Sequence, residues 1–337
     1  MLLGNLAYVR SAHNIIDHGA VHNKTDTDTA FLNAEAFLKA VKAANASQVD
    51  REVYVPLGDN MHFTFMPIIM SELKNITFTI DGTLLLSQDN VNWPADEGKD
   101  GIHNFWHITD SEDIHIRGSG KIEGQGYWWW MREYVVANKN GRPHMLRMER
   151  VRHCIIEGLS FFNSPFYHLF LTDIDDFLIQ EIEIMVDVME QKKLAIKHGK
   201  FDYRMNLPTF PLNTDGIDPS GTNIIIRNSR ITSYDDSIAV KPANGGNKIA
   251  TCAENITAYN LTTWMGLGMT IGSVPPNKNF ACIRNVTFRD IMLYTPVKSV
   301  YVKTNPGNVG YGVIENILYE NLTIIEPIWW NIYIGPQ

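Results

Sequence analysis

The chain has 337 residues, of which 45% are hydrophobic and 11% aromatic, and its formal net charge at pH 7 is −8. This composition can fill a sizeable core and excludes a disordered chain, while the acidic balance argues against nucleic acid as a general partner. No apolar run reaches the roughly 18 residues of a membrane helix, so no membrane partner is expected. Residues 1–12 have neither a basic leader nor a full apolar segment and are a poor signal peptide.

The first predicted element is a helix over residues 28–44, where apolar side chains recur at helical spacing behind Asp and Thr residues that can cap its start. A strand over residues 51–57 follows it. The apolar positions are Phe31, Ala34, Leu38 and Val41.

From Lys74 onward, short alternating β-type runs recur, each opening on a polar anchor residue. The anchors Asn223, Asn255, Asn285 and Asn316 follow one another at intervals of 32, 30 and 31 residues. Repeats of this length indicate stacked units, and units made of strands and turns predict an all-β, right-handed parallel β-helix. A β-sandwich or barrel is the alternative, but its strands would not recur in such near-identical units.

The β-helix is expected to form a single domain over residues 1–337, with an N-terminal cap over about residues 1–50. The helix would cover the first coil, because an exposed β-helix end is an aggregation edge. No capping element is visible at the other end, where the chain closes on Gly335-Pro336-Gln337, which is consistent with a truncated sequence or a short open end.

The three cysteines, Cys154, Cys252 and Cys282, are too few for a disulfide-rich fold and show no C-x-x-C metal spacing. Cys252 and Cys282 each precede an anchor by three residues, so they should lie on neighbouring rungs about 4.8 Å apart, either bridged or as stacked free thiols. Seven N-x-[ST] sequons would suit a secreted glycoprotein, although most of them belong to the structural repeat: Asn23, Asn45, Asn75, Asn255, Asn260, Asn285 and Asn321.

Two acidic motifs stand out, Asn213-Thr214-Asp215-Gly216-Ile217-Asp218 and Tyr234-Asp235-Asp236-Ser237. The repeat places both on one winding, so Asp215, Asp235 and Asp236 should repel one another and raise at least one pKa. A glycosidic hydrolase needs this division between a protonated acid and a carboxylate that activates water. Asp-Gly steps and acidic pairs also occur in ordinary solvated turns.

The motifs resemble those of glycoside hydrolase family 28, the polygalacturonases and related pectin hydrolases. That family carries Asn-Thr-Asp, Asp-Asp, Gly-His-Gly and Arg-Ile-Lys in this order. The chain offers Asn213-Thr214-Asp215, Asp235-Asp236, Gly266-Leu267-Gly268 and Tyr301-Val302-Lys303 at similar intervals, and the likeness extends over nearly its whole length.

The resemblance implies that Asp235 is the general acid and that Asp215 and Asp236 activate a water that attacks with inversion. Inversion would require carboxyl groups roughly 6.5 to 9.5 Å apart. Asn213 would order the substrate or a neighbouring carboxylate, and Lys303 would pair with a sugar carboxylate. No metal and no cofactor are implied.

Two positions depart from the family pattern. Leu267 stands where the family has its His and cannot hydrogen bond to the acid, and Tyr301 stands where an Arg would grip a uronate carboxylate. Tyr301 would instead offer a hydroxyl and a ring face for sugar stacking. The departures put homogalacturonan in doubt and favour rhamnogalacturonan, a substituted pectin or another acidic plant or algal cell-wall polysaccharide.

Several further residues are candidates for the cleft. His168 could reach the substrate, although a lone His is more often structural, and Lys241 could offset the carboxylate repulsion. The tryptophans at 128–130 could stack on sugars or simply pack. An insertion between Ile184 and Pro211 could hold an acidic polymer with its cations, or be a solvated loop: Lys192, Lys193, Lys197, His198, Lys200 and Arg204.

The leading hypothesis is therefore a secreted, monomeric, metal-independent hydrolase of a pectin-like polysaccharide. One alternative is a calcium-dependent polysaccharide lyase on the same fold, with the aspartates binding Ca²⁺. A second alternative is a catalytically weak carbohydrate-binding β-helix, for which Leu267 and Tyr301 are the sequence signal.

Overall fold

The computed structural model describes residues 12–95, 101–135, 141–197, 211–244 and 246–337. The signal-peptide prediction therefore falls almost entirely outside the described residues. None of the helices in these ranges is long and apolar enough to cross a membrane. The helices are α1 Thr27–Ala46, α2 Tyr127–Val135 and α3 Val188–Lys197, and a 3-10 turn spans Ile15–His18.

The described strands join in one hydrogen-bonded, almost entirely parallel sheet that winds into a parallel β-helix, as the repeat predicted. Their bounds are β1 His13–Asn14, β2 Glu52–Val55, β3 His62–Phe65, β4 Ile68–Ser71, β5 Lys74–Ile80, β6 Thr83–Leu86, β7 Trp106–Arg117, β8 Lys121–Glu123, β9 Leu146–Glu157, β10 Ser160–Phe162, β11 Leu169–Gln180, β12 Glu183–Met185, β13 Ile217–Thr232, β14 Ile238–Val240, β15 Ala243–Asn244, β16 Ala253–Trp264, β17 Met269–Val274, β18 Phe280–Tyr294, β19 Val300–Thr304, β20 Tyr311–Ile325 and β21 Ile332–Pro336.

Strand β13 shows how one coil supplies three faces. Its start, Ile217, pairs with Ile238 of β14; its middle, Ile224, pairs with β16; and its end, Ile231, pairs with β12. All of these isoleucines are fully buried. Inward aliphatic side chains thus stack from coil to coil and form the core, because successive residues of a strand point to opposite faces.

The polar anchors of the repeat are the residues at which the chain bends between two faces. Asn223, Asn255, Asn285 and Asn316 all have left-handed backbones, with φ between 54° and 56°. Asn tolerates this conformation better than most residues. Their side chains also form a ladder: Asn255 donates to Asn223 at 3.2 Å, and Asn316 donates to Asn285 at 3.1 Å. This geometry explains why Asn recurs at the coil interval, sequons included.

Helix α1 covers the first coils, as predicted. Asp26 caps it by accepting from the N–H of Thr29 at 2.9 Å. Its Phe37 is fully buried and stacks on Phe78 with 6.0 Å between ring centroids. One detail of the prediction is wrong, because Phe31 is 43% exposed and the buried face is turned towards Phe37.

Cys252 and Cys282 lie on neighbouring rungs with their Cα atoms 4.6 Å apart, as the register predicted. Of the two alternatives left open, the structure has the disulfide. It joins the turn before β16 to β18. Ala253 and Ile283, which follow the two cysteines, pair directly. Cys154 is a buried free thiol.

Candidate active site

The acidic motifs meet because they enter the same face of the β-helix on successive coils. Asp215 lies two residues before Ile217, Asp236 lies two residues before Ile238, and these isoleucines pair. We call this face, formed by the start of β13 with β14, β17, β19 and β21, the site face. The N–H of Gly216 donates to the carbonyl of Asp236 at 2.9 Å, which holds the two turns together.

Three of the carboxylates converge closely. One oxygen from each of Asp215, Asp235 and Asp236 lies within 4.8 Å of the other two. A fourth aspartate, Asp218, is fully buried on β13 beside them. Asp218 stands within the first acidic motif, but the motif alone indicated no role for it.

Two lysines enter the cluster, Lys241 from directly after the end of β14 and Lys303 from a later coil. Lys303 of β19 donates to Oδ2 of Asp236 at 2.7 Å. Lys241 lies 3.1 Å from Oδ2 of Asp218 and 3.8 Å from Oδ2 of Asp215. Thr270 of β17 donates to Oδ1 of Asp236 at 2.6 Å. Lys241 thus lies where its charge can offset the carboxylate repulsion, whereas Lys303 has a carboxylate of this chain as its partner.

Burial and mutual repulsion change the acidity of the cluster. Burial, together with the charges of Asp218 and Asp235, raises the pKa of Asp215 well above its usual range. Burial raises the pKa of Asp218 to about 7 against the attraction of Lys241. Burial and Asp236 raise the pKa of Asp235, although backbone N–H donors oppose the shift. Burial disfavours the charge on Lys241, but the surrounding carboxylates outweigh it and raise its pKa.

Backbone groups from two coils hold Asp235. The N–H of Asn213 donates to its Oδ2 at 3.0 Å, and the N–H of Leu267 donates to its carbonyl at 2.8 Å. Asn213 has a left-handed backbone with φ 58°. Its side-chain oxygen accepts from Arg142 at 3.2 Å, and Arg142 also donates to the carbonyl of Leu212. Asn213 thus orders the carboxylate of Asp235 through its backbone N–H and not through its side chain.

His168 lies behind the carboxylates and not in the open site. It is fully buried, its Nδ1 donates to the carbonyl of Asp215 at 3.0 Å, and its Nε2 accepts from the N–H of Ser164 at 3.3 Å. Burial lowers its pKa to about 4, although the backbone acceptors Asp215 and Thr214 oppose this shift. Both ring nitrogens are occupied, so neither is free for a substrate.

Tyr301 is also less open than the sequence suggested. It is 3% exposed, and the ammonium groups of Lys298 and Lys303 lie 3.7 Å and 4.7 Å from its ring centroid. Its ring face is therefore covered. Leu267 is half-buried on the turn that supports Asp235.

The remaining candidates lie around α2 and α3. Trp129 and Trp130 are buried packing residues, with Trp130 donating to the carbonyl of Ser164 at 3.0 Å. Trp128 is half-buried and lines a separate cavity of about 830 Å³ with Phe162. On α3, Lys193 is exposed beside Glu190. Cleft binding by the insertion stays a prediction, because the side chain of Lys197 and residues His198, Lys200 and Arg204 lie outside the described residues.

Comparison with known proteins identifies the family of the chain. A sequence profile described as "Glycosyl hydrolases family 28" matches residues 46–334. The chain belongs to that family. Family 28 relatives of the chain include a probable polygalacturonase from Arabidopsis thaliana and an exopolygalacturonase from Platanus acerifolia, each 26% identical. These matches cover 89% and 93% of this chain but only 56% and 72% of the relatives, so the chain spans little more than half of the first.

The fold is shared with solved family structures. The hyperthermoactive exopolygalacturonase from Thermotoga maritima superposes with a TM-score of 0.72 at 22% identity, over 96% of this chain and 75% of that one. Glycosidic hydrolysis is the chemistry of this family. The resemblance of the motifs to family 28 is thereby confirmed.

Proposed function

We propose that the chain hydrolyses glycosidic bonds in an acidic, pectin-like polysaccharide by general acid and base catalysis. The observation that carries the proposal is an imbalance of charge: four buried aspartates share two lysines, which lie within 4.0 Å of Asp215, Asp218 and Asp236. Such a cluster retains protons at a pH where isolated aspartates have lost them. A proton donor and a carboxylate then stand side by side, as glycosidic cleavage requires.

Asp235 is the general acid of this proposal. It is 8% exposed, against 2% for Asp215 and none for Asp218 and Asp236, so it has the best access to a substrate. Its raised pKa retains the proton that it donates to the glycosidic oxygen as the bond to the anomeric carbon breaks. The N–H of Asn213 keeps the carboxyl group in place while its charge changes.

Asp215 and Asp236 activate the attacking water. Oδ1 of Asp215 is buried without a hydrogen-bond partner in the described part of the chain and can accept from a water. Lys303 and Thr270 donate to Asp236 and suit a charged carboxylate there. When Asp235 carries a proton, one of the charges that raise the pKa of Asp215 is gone, so protonation of the acid favours ionisation of the base.

Inversion at the anomeric carbon belongs to this proposal and rests on the family resemblance. The close approach of the three carboxylates makes product stereochemistry a sharp test. Proton NMR of the first-formed product should show the anomer opposite to that of the substrate bond. Retention would contradict the single displacement and would require one aspartate to act as a nucleophile.

The substrate is proposed from the names of the two relatives, both polygalacturonases, and from the lysines of the site. The test is a digest of homogalacturonan, rhamnogalacturonan and xylogalacturonan, scored by release of reducing ends. Asp235→Asn should abolish the release, and Asp59→Asn, at an exposed aspartate on the turn after β2, should leave it unchanged. The enzyme proposal fails if the wild-type chain cleaves none of the polymers.

The calcium-dependent lyase is the less favoured alternative. Asp215, Asp235 and Asp236 could offer oxygens to a cation, but a Ca²⁺ there would face the ammonium groups of Lys303 and Lys241. Chelator should therefore leave the rate unchanged, and an unsaturated product would overturn the hydrolytic proposal.

We propose further that the chain acts outside the cell, which its disulfide supports, and that it acts as a monomer.

A further inference from the structure

A third lysine lies beside the acids without taking part in their ion pairs. Lys298 is half-buried on the turn that enters β19. Asp236, Leu267 and Lys298 each lie two residues before Ile238, Met269 and Val300, which pair in that order. Lys298 therefore follows Asp236 along the site face by two coils, with the apolar Leu267 between them.

Aromatic rings surround the ammonium of Lys298. Its Nζ lies 3.7 Å from the ring centroid of Tyr301, 4.6 Å from that of Tyr333 and 5.7 Å from that of Trp329. Ring faces attract a cation and restrict where a flexible lysine can place its charge. The rings, however, offer no negative charge to neutralise it.

The charge of Lys298 is uncommitted among the described residues. No carboxylate oxygen in that part of the chain lies within 4 Å of its Nζ, whereas Lys303 pairs with Asp236 and Lys241 with Asp218. Burial and the charge of Lys303 lower the pKa of Lys298, while Asp236 and Asp235 attract it from a greater distance. A partly desolvated cation in this position gains from an incoming anion.

We propose that Lys298 binds the carboxylate of a uronic acid residue of the substrate, next to the sugar on which Asp235 and Asp236 act. The proposal rests on the function proposed above and specifies its substrate class. The Tyr301 ring sets the position of the ammonium, and Leu267 leaves it without a competing polar partner. Lys298, three positions before Tyr301, thus supplies the positive charge that the tyrosine lacks.

The decisive experiment measures binding without turnover. Calorimetric titration with a trimer of galacturonic acid, and with its methyl ester, compares the Asp235→Asn chain with the same chain also carrying Lys298→Met. We expect the second substitution to weaken binding of the free acid roughly tenfold to hundredfold, as for loss of a charged hydrogen bond, and to leave the ester nearly unchanged. Lys298→Arg should restore most of the affinity for the acid.

Two controls separate this contact from general effects. Lys42→Met removes one charge from an exposed position on α1 and should leave both affinities unchanged. In the active chain, Lys298→Met should raise KM for the free-acid polymer with little change in kcat. Equal affinities with and without Lys298, equal losses for acid and ester, or no binding of the trimer by the Asp235→Asn chain would each overturn the proposal.

The failure of this inference can be told from failure of the proposed function. If the wild-type chain released no reducing ends from any polymer, hydrolysis would be refuted, while the titration would still decide whether Lys298 binds the acid. If the wild-type chain cleaved the polymer but Lys298→Met bound acid and ester as before, only the role of Lys298 would be refuted.

Discussion

Lys303 donates to Oδ2 of Asp236 at 2.7 Å, and the two residues come from strands and turns two coils apart on the site face. Thr270, from the coil between them, donates to Oδ1 of the same carboxylate at 2.6 Å. Both Lys303 and Asp236 are at most 4% exposed. Three successive coils are thus needed to hold one carboxylate, and the ion pair couples the site to the stacking of the β-helix.

Lys303→Met should damage both stability and activity. It leaves the buried carboxylate of Asp236 without its closest cation, which costs about 3 to 5 kcal/mol in comparable buried pairs. Chemical denaturation should report this loss, and kcat should fall at least about a hundredfold. The double variant Asp236→Asn/Lys303→Met should be less destabilised than the two single losses combined, and strict additivity would contradict a coupled pair.

Stability should depend on pH through Asp218. The pKa of this group rises from 3.8 to about 7 on folding. The folded chain therefore holds its proton more tightly, so the stabilisation is complete below about pH 3.8 and is lost as the pH rises towards 7. Relative to Asp218→Asn, which does not titrate, the wild type should lose as much as about 4 kcal/mol over this range. Melting curves of both chains at pH 4 and pH 7.5 test this prediction. An equal difference in stability between wild type and Asp218→Asn at the two pH values would contradict it.

The disulfide between Cys252 and Cys282 closes 30 residues. Loop-closure entropy for such a length predicts that Cys252→Ala/Cys282→Ala lowers the free energy of unfolding by about 3 to 4 kcal/mol. Reduction of the wild type should produce a similar loss in a denaturation experiment. The double variant should not respond to the reductant, because its remaining cysteine, Cys154, is a free thiol.

Substitutions at Asn255, in the asparagine ladder, can separate the stability cost of backbone strain from that of lost hydrogen bonds. Asn255 has φ 56°, donates to Asn223 at 3.2 Å and accepts from Asn285 at 3.5 Å. Asn255→Ala loses both contacts and puts in the left-handed region a residue that tolerates it less well than Asn, so a loss of about 2 kcal/mol is expected. Asn255→Gly loses the same contacts without the strain and should cost about half as much in thermal unfolding. Equal losses would assign the whole effect to the ladder.

The coil architecture could be predicted from the sequence because each bend imposes a local requirement. Left-handed residues recur at matching positions of successive coils, as at Asn223, Asn255 and Asn285, and Asn or Asp tolerates that conformation, so the anchors recur at a regular interval. The same regularity predicts that Cys252 lies beside Cys282, and the structure joins them in a disulfide. The helix that covers the first coils was likewise predictable, although its buried face was placed on Phe31 instead of Phe37.

The acidic site was only partly predictable. The motifs identified Asp215, Asp235 and Asp236. The prediction that they share one winding is wrong in detail, because Asp215 and Asp236 enter the same face on successive coils. The motifs could not show that Asp218 joins the cluster, that His168 is sealed behind it or that Tyr301 is covered. Those outcomes depend on which side chains of different coils share a column and on how much solvent reaches them.

The sequence by itself determined the winding, its anchors and the acids that it carries, because these follow from local backbone conformation and repeat length. Only the tertiary structure decided which lysine pairs with which carboxylate. Lys303 and Lys241 take the aspartates, while Lys298 is left among aromatic rings. The reason is physical: charge pairing depends on distances of a few ångströms between coils, and chain spacing does not encode those distances.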